Sequence, residues 1–401
     1  MDRPQYSTQF CISAEISCLK WLFEENSIQT QNGLFTTAST DYIDNKLTLW
    51  HYSAIDTDQT GEHHAQNLTN ISLPSFVTTL QYSSSILSSP TLFTGSYDGV
   101  IRAYSVTEQS NDSPLGADFV LSETLTVPTF SNNHISRQNF SIETTSLGSI
   151  HSEDDHPIQS SLQSANSSPS PLTSLSINKQ VGLVSATSRN GLIFVSPLPS
   201  DATSTLRPVA MIPFVPRHTD WLSPDVFIVS GDSSLVLCFD RRSSLHTPVN
   251  VLNAASSADH RPSSILSQSF NYLTPFLLCT GLSNGELNMI DLRASSSFDG
   301  YSPYAYRSSV QTKLVDIQPN TPILSVPSKV LIHPSQVDVV ISAQSSQEIN
   351  LFSVRKTPSS LFRTITTTSA LSCFDIHPSL DVLASGTQME SLFFASSLSQ
   401  P

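Results

Sequence analysis

Apolar residues recur at every second position in short runs along this chain, and each run is followed by a small-residue turn and a second alternating run. The phrase reads LFTTASTDYIDNKLTLWHY from Leu34 and LFTGSYDGVIRAYSV from Leu92. It returns as GLVSATSRNGLIFVSPL from Gly182, VFIVSGDSSLVLCFDRR from Val226 and LLCTGLSNGELNMIDLR from Leu277. The last copies are VVISAQSSQEINLFSVR from Val339 and VLASGTQMESLFFAS from Val382. A period of two puts successive side chains on opposite faces of an extended strand, so each phrase predicts a β-hairpin. Nowhere does an apolar period of 3.6 persist over the length of a helix.

The hairpins have matching punctuation. Asp98-Gly99, Asn190-Gly191 and Asn284-Gly285 supply the positive φ that a tight turn needs. The first strand of each phrase alternates apolar residues with Ser, Thr, Ala and Gly, small enough to let neighbouring sheets stack closely. A further strand lies upstream, as in ISCLKWLF from Ile16, FVTTLQY from Phe76, LTSLSIN from Leu172, SKVLIHPS from Ser328 and ALSCFDIHPS from Ala370. Most copies are spaced by about 40–50 residues, the period of WD40 repeats. The second hairpin strand ends in a large residue where WD40 repeats carry their Trp-Asp pair: Trp50, Tyr104, Phe239-Asp240, Ile290-Asp291 and Phe352. The chain therefore resembles WD40 proteins. The expected fold is all-β, a single seven-bladed WD40-type β-propeller spanning 1–401.

The expected blades are about 14–70, 71–127, 171–207, 208–260, 261–320, 321–367 and 368–398. The last phrase leaves no residues for an outer strand, while Tyr6 to Ser13 is an apolar stretch without an assignment. That N-terminal strand is expected to complete blade seven and remove both free edges. DFVLSETLTV from Asp118 is read as the outer strand of blade two, and Pro128 to Ser170 as a disordered, Ser-rich insertion. Shorter polar loops are expected at Asp56 to Asn70, Ser243 to Ser263 and Ala294 to Asn320, the last hiding an outer strand near Tyr304 to Ile317.

Composition changes the picture chiefly by exclusion. The net charge of −14 argues against nucleic-acid binding, which needs a basic face to displace counterions, and against anionic lipid surfaces. No apolar run is long enough for a transmembrane helix, and MDRPQYSTQF lacks the apolar core of a signal peptide. The cysteines Cys11, Cys18, Cys238, Cys279 and Cys373 are scattered and mostly set in apolar runs. They read as reduced core residues of a cytosolic or nuclear protein. The triplets at Asn67, Asn70 and Asn139 fit the glycosylation pattern, a chance match if the chain is not secreted. Ser-Pro pairs such as those in SSPSP from Ser167 hint at phosphorylation of the insertion.

No catalytic, cofactor-binding or metal-ligating residue is assigned. His151, Glu153, Asp154, Asp155 and His156 could collect a divalent ion, but nothing in a low-complexity stretch fixes their geometry. His63 and His64 are placed in another flexible loop. His333 and His377 end inner strands in His-Pro-Ser, where a histidine hydrogen-bonds within its own blade. There is no Gly-rich phosphate loop.

Several blades resemble those of the family of 43-kDa WD40 nucleoporins, members of the Y-shaped outer-ring complex of the nuclear pore. Blade one has an extended hairpin from Asp41 to Trp50, and blade four ends in Phe239-Asp240-Arg241. The last blade, Ser372 to Leu398, has Gly386-Thr387 at its turn and then a few apolar residues before the end. An insertion after blade two also fits. The resemblance implies a non-catalytic scaffold at the nuclear envelope that docks on a helical-solenoid nucleoporin of the short arm of the Y, without nucleic acid, membrane insertion or cofactor. The alternatives are a WD40 enzyme like the diphthine methylesterase and a generic adaptor of another complex.

Overall fold

The computed structural model describes residues 7–11, 14–22, 32–40, 44–55, 62–84, 90–109, 118–128, 170–197, 206–255, 263–271, 274–292, 310–315, 326–336, 338–345, 347–354, 360–377, 379–388, 391–396 and 398. The chain opens on β1 (Ser7–Cys11). Blade one follows as β2 (Glu15–Leu22), β3 (Asn32–Thr40), β4 (Asn45–Ile55) and β5 (Glu62–Leu73). Blade two is β6 (Val77–Ser83), β7 (Thr91–Ser96), β8 (Val100–Gln109) and β9 (Asp118–Pro128). Blade three is β10 (Leu172–Asn178), β11 (Leu183–Ser188), β12 (Leu192–Pro197) and β13 (Pro208–Met211), and so runs past the expected limit at 207. Blade four is β14 (Pro216–Trp221), β15 (Val226–Gly231), β16 (Ser233–Asp240) and β17 (Asn250–Asn253). Blade five is β18 (Ile265–Asn271), β19 (Thr274–Leu282), β20 (Leu287–Asp291) and β21 (Val310–Val315). Blade six is β22 (Pro327–Ile332), β23 (Val339–Gln344), β24 (Glu348–Ser353) and β25 (Ser360–Thr366). Blade seven is β26 (Leu371–His377), β27 (Val382–Thr387) and β28 (Ser391–Ser396), with β1 as its fourth strand.

Every sheet is antiparallel, and the innermost strands follow one another around a ring that β26 closes against β2. The chain folds as a seven-bladed β-propeller. Closure is as the sequence predicts: β1 pairs with β28 in unbroken register from Ser7↔Ala395 to Cys11↔Ser391. The outer strands β9 and β21 also lie where they are expected. Two of the expected polar loops contain strands instead. Glu62–Leu73 is the longest strand of the blades, and Asn250–Asn253 is a short outer strand inside 243–263. The insertion is expected at 128–170; Pro128 ends β9, and 129–169 lie outside the described residues.

The core lies between blades. Large residues of the third strands face apolar residues of the second: Tyr104 (in the middle of β8, not at its end) opposite Leu92, Phe239 opposite Phe227, Ile290 opposite Leu278 and Phe352 opposite Val340. Phe239 is fully buried and stacks on Phe227 at 5.2 Å, and Trp221 tilts against the same Phe227 ring. These rings join Leu183, Ile193 and Ala210 of blade three in one cluster, so packing bonds one sheet to the next. Small residues on the second strands make that approach possible. A Cβ on Gly281 would come within 2.9 Å of Val330 in the next blade, and one on Gly386 within 2.6 Å of Ile16. At the Asp-Gly and Asn-Gly turns, Gly99, Gly191 and Gly285 have φ of 72°, 86° and 89°, as expected.

Candidate functional site

All seven innermost strands carry a register shift at the same place. It falls between Ile16 and Cys18, Val77 and Thr79, Leu172 and Ser174, Pro216 and His218, Ile265 and Ser267, Pro327 and Lys329, and Leu371 and Cys373. A bulge re-aims the side chain that follows it. Ser or Thr at the bulge secures it: Ser17, Thr78 and Ser328 donate their hydroxyls to the carbonyls of Ala38, Gly95 and Ala343. The residues after the bulge form one ring around the propeller axis: Cys18, Thr79, Ser174, His218, Ser267, Lys329 and Cys373. Two positions further in comes a second ring, Lys20, Gln81, Ser176, Asp220, Ser269, Leu331 and Asp375.

These rings solve a problem that the fold creates. The axial edge of an innermost strand has no neighbour in its own sheet, yet its buried N–H groups need acceptors. The preceding blade supplies them. Ser174 Oγ accepts from Thr219 N at 3.1 Å, Ser267 Oγ from Val330 N at 2.7 Å and Ser269 Oγ from Ile332 N at 2.8 Å. At the closing seam Asp375 Oδ2 accepts from Trp21 N at 3.0 Å and faces Lys20 Nζ at 3.1 Å, while Trp21 Nε1 donates to the Asp375 carbonyl. His218 Nε2 lies 2.9 Å from the Leu266 carbonyl, which can only accept, so that nitrogen carries the proton.

Burial sets the protonation of these groups. It pushes the Cys18 thiol up to about 12; neighbouring Cys373 adds to the shift, and the Lys329 ammonium and a Ser17 hydrogen bond oppose it. Cys373 is likewise raised by burial. Burial takes His218 down to about 4 against its bond to Leu266, with Arg217 and Lys329 pushing the same way. Asp220 rises to about 6 by burial, opposed by a hydrogen bond from Gln268 and by Lys20. At neutral pH the ring after the bulge thus holds protonated thiols and a neutral imidazole, which are poor nucleophiles and acids.

At one end of the innermost strands the flanking residues are mostly apolar. Phe76, Pro171, Val215, Ser264, Val326 and Ala370 each precede an innermost strand, and each accepts a hydrogen bond at its carbonyl from the adjoining hairpin: Tyr97, Arg189, Asp232, Ser283, Ser345 and Gln388 donate. Phe76 is 37% exposed and Tyr97 beside it 54%. At the other end His333 and His377 accept at Nδ1 from turn N–H groups of their own blades, as expected. His333 also reaches beyond its blade, its Nε2 donating to Asp381 Oδ1 of blade seven at 2.9 Å.

The remaining sequence candidates do not meet here. His63 is not in a flexible loop; it is a buried residue of β5, with Nδ1 2.7 Å from the Tyr52 hydroxyl. The error has a physical cause, because EHHAQNLTNISL is too polar to read as a strand and is held by its ladder to β4. His64 is an exposed residue of the same strand. The 151–156 cluster lies outside the described residues, among which no group of three metal-ligating side chains is found. Cys238, Cys279 and Cys373 are buried free thiols, whereas Cys18 is half buried. Sequence reading missed both axial rings. Their signal was a pair of mostly polar residues two apart on otherwise apolar strands, visible once the seven strands are aligned at the bulge. Among the described residues no helix is long and apolar enough to cross a membrane. Compared with known proteins, the chain matches no family model and no curated sequence.

Proposed function

We propose that this propeller is a non-catalytic scaffold that docks its partner on the rim of blades one and two. The observation that carries this reading is the size of that rim. β5 has 12 residues and β9 has 11, against four each in β13 and β17. The ladder of β4 with β5 runs from Asn45↔Leu73 to Ile55↔Glu62, and that of β8 with β9 from Val100↔Pro128 to Gln109↔Asp118. β5 lies beside β9 on one side and near β1 on the other, which makes a broad wall of strands. Its outward residues His64, Gln66, Asn67, Asn70 and Ser72 are exposed and include no acid, lysine or arginine, which suits the core of an interface. The thiols and imidazoles around the axis support a scaffold in another way, since they are engaged in holding blades together.

The specific role we propose is that of a structural nucleoporin of the outer-ring Y complex, docked on a helical-solenoid partner. It rests on the resemblance of blades one, four and seven. A stable complex of this kind buries at least about 1,000 Å². Fluorescent tagging should give a punctate nuclear rim, and affinity purification should recover outer-ring nucleoporins. Gln66→Glu with Asn70→Lys should abolish that recovery while the protein stays folded. A diffuse signal with hydrolysis of a methyl ester on modified elongation factor would refute the proposal in favour of an enzyme.

A further inference from the structure

We infer that the axial ring after the bulge is a binding site for a carboxylate carried on an apolar stem, with Lys329 as its counter-ion. Lys329 is half buried, and its ammonium lies 5.4 Å from the centre of the buried Phe374 ring in the next blade. Its charge also bears on Cys18, Cys373 and His218, which stand on three different blades. Among the described residues no carboxylate comes within ion-pair distance of it. Lys20 and Arg102, by contrast, are paired with Asp375 and Asp98. The nearest axial carboxylates lie one ring further in and are already engaged, Asp375 with Lys20 and Trp21, Asp220 with Gln268.

The rest of the ring is rich in donors. Ser174 and Ser267 spend their oxygens on the N–H groups of Thr219 and Val330, which leaves each hydroxyl proton without an acceptor among the described residues. Thr79 adds a third hydroxyl. An entering carboxylate would give the ammonium a counter-ion while accepting from the hydroxyls. The residues just before the innermost strands, Phe76, Pro171, Val215, Ser264, Val326 and Ala370, are mostly apolar, with exposed Tyr97 beside Phe76. Those residues favour an aliphatic or aromatic stem behind the charged group. The carboxylate could come from a free organic acid or from the C-terminus of a peptide; the ring chemistry is the same for both. This site is independent of the rim proposed for docking.

The test is calorimetric titration of the full chain with hexanoate, hexanamide, and an apolar tetrapeptide in its free-acid and amide forms. Hexanoate or the free-acid peptide should bind, and the neutral forms should bind at least tenfold more weakly. Lys329→Met, which keeps the stem over Phe374, should weaken carboxylate binding at least tenfold, and Lys329→Arg should restore most of it. Ser174→Ala should weaken it without removing it, a second readout in case the lysine variant folds poorly. Tighter binding of the peptide identifies a protein terminus as the ligand, and tighter binding of hexanoate a free acid. Equal binding to Lys329→Met and the parent, or no binding of either carboxylate at millimolar concentration, overturns the inference.

Discussion

Replacing Asp375 tests how the ring holds its last seam. Its Oδ2 accepts from the Trp21 amide at 3.0 Å and faces Lys20 Nζ at 3.1 Å, both across the junction of blades seven and one. In Asp375→Ala the Trp21 N–H loses its acceptor beside a side chain only 2% exposed. An orphaned buried donor costs about 1–3 kcal/mol. The ion pair adds less, because the Lys20 side chain is 34% exposed and water screens it; about 0–1 kcal/mol is reasonable. The alanine variant should therefore lose about 1–4 kcal/mol. Asp375→Asn keeps an oxygen toward Trp21 and should lose about 1 kcal/mol, close to the effect of Lys20→Ala. Urea unfolding followed by tryptophan fluorescence reads these differences, provided the slope of the transition does not change. Equal losses in the alanine and asparagine variants would show that the Lys20 charge, not the Trp21 amide, is what Asp375 serves. A loss below about 1 kcal/mol in the alanine variant would refute the seam altogether.

Other expectations follow from the same geometry. Phe239→Ala should cost about 3–5 kcal/mol, as for buried aromatic truncations; a cost below about 1 kcal/mol would place the ring outside the core. His218 and His377 are held down to about 4 by burial against an ordinary 6.5, so acidification from about pH 6.5 to 4 should destabilise the fold. Asp220 works in the opposite sense. Raised to about 6 from 3.8, it contributes stability that is lost as the pH rises through about 6. Asp220→Asn should therefore lose stability more steeply than the parent between pH 6.5 and 4.5, and parallel urea midpoints would contradict this. Deleting residues 1–11 bares the edge of β28 and should give concentration-dependent association in light scattering; a stable monomer would show that β1 is dispensable.

The seven hairpins and their closure were legible because each rests on local chemistry. Alternation at Val226–Gly231 or Leu183–Ser188 and the glycine turns at 99, 191 and 285 need no distant partner to be recognised. β5 and β17 were hidden for the opposite reason: their polar residues become strands only by pairing with β4 and β16. The axial rings were hidden by distance. Cys18 and Cys373 are far apart in sequence, and nothing local marks them as neighbours of Lys329. What brings them together is a bulge whose only trace is a Ser or Thr at 17, 78, 328 and 372, indistinguishable from the many others in a serine-rich chain.

Pairing Ser7 with Ala395 also sets an order of events during synthesis. β1 is made before all the blades, and its partner β28 only after them. At about 5–20 residues per second the interval is on the order of 20–80 seconds. For that time β1 is an unpaired strand in the presence of six blades that can already form, each with an outer edge it could join in error. With five residues it has little to gain from any such mispairing, although β13 and β17 are shorter still. A short closing strand thus trades strength at the seam for fidelity in assembly, and lengthening it would be expected to slow the production of correctly closed rings.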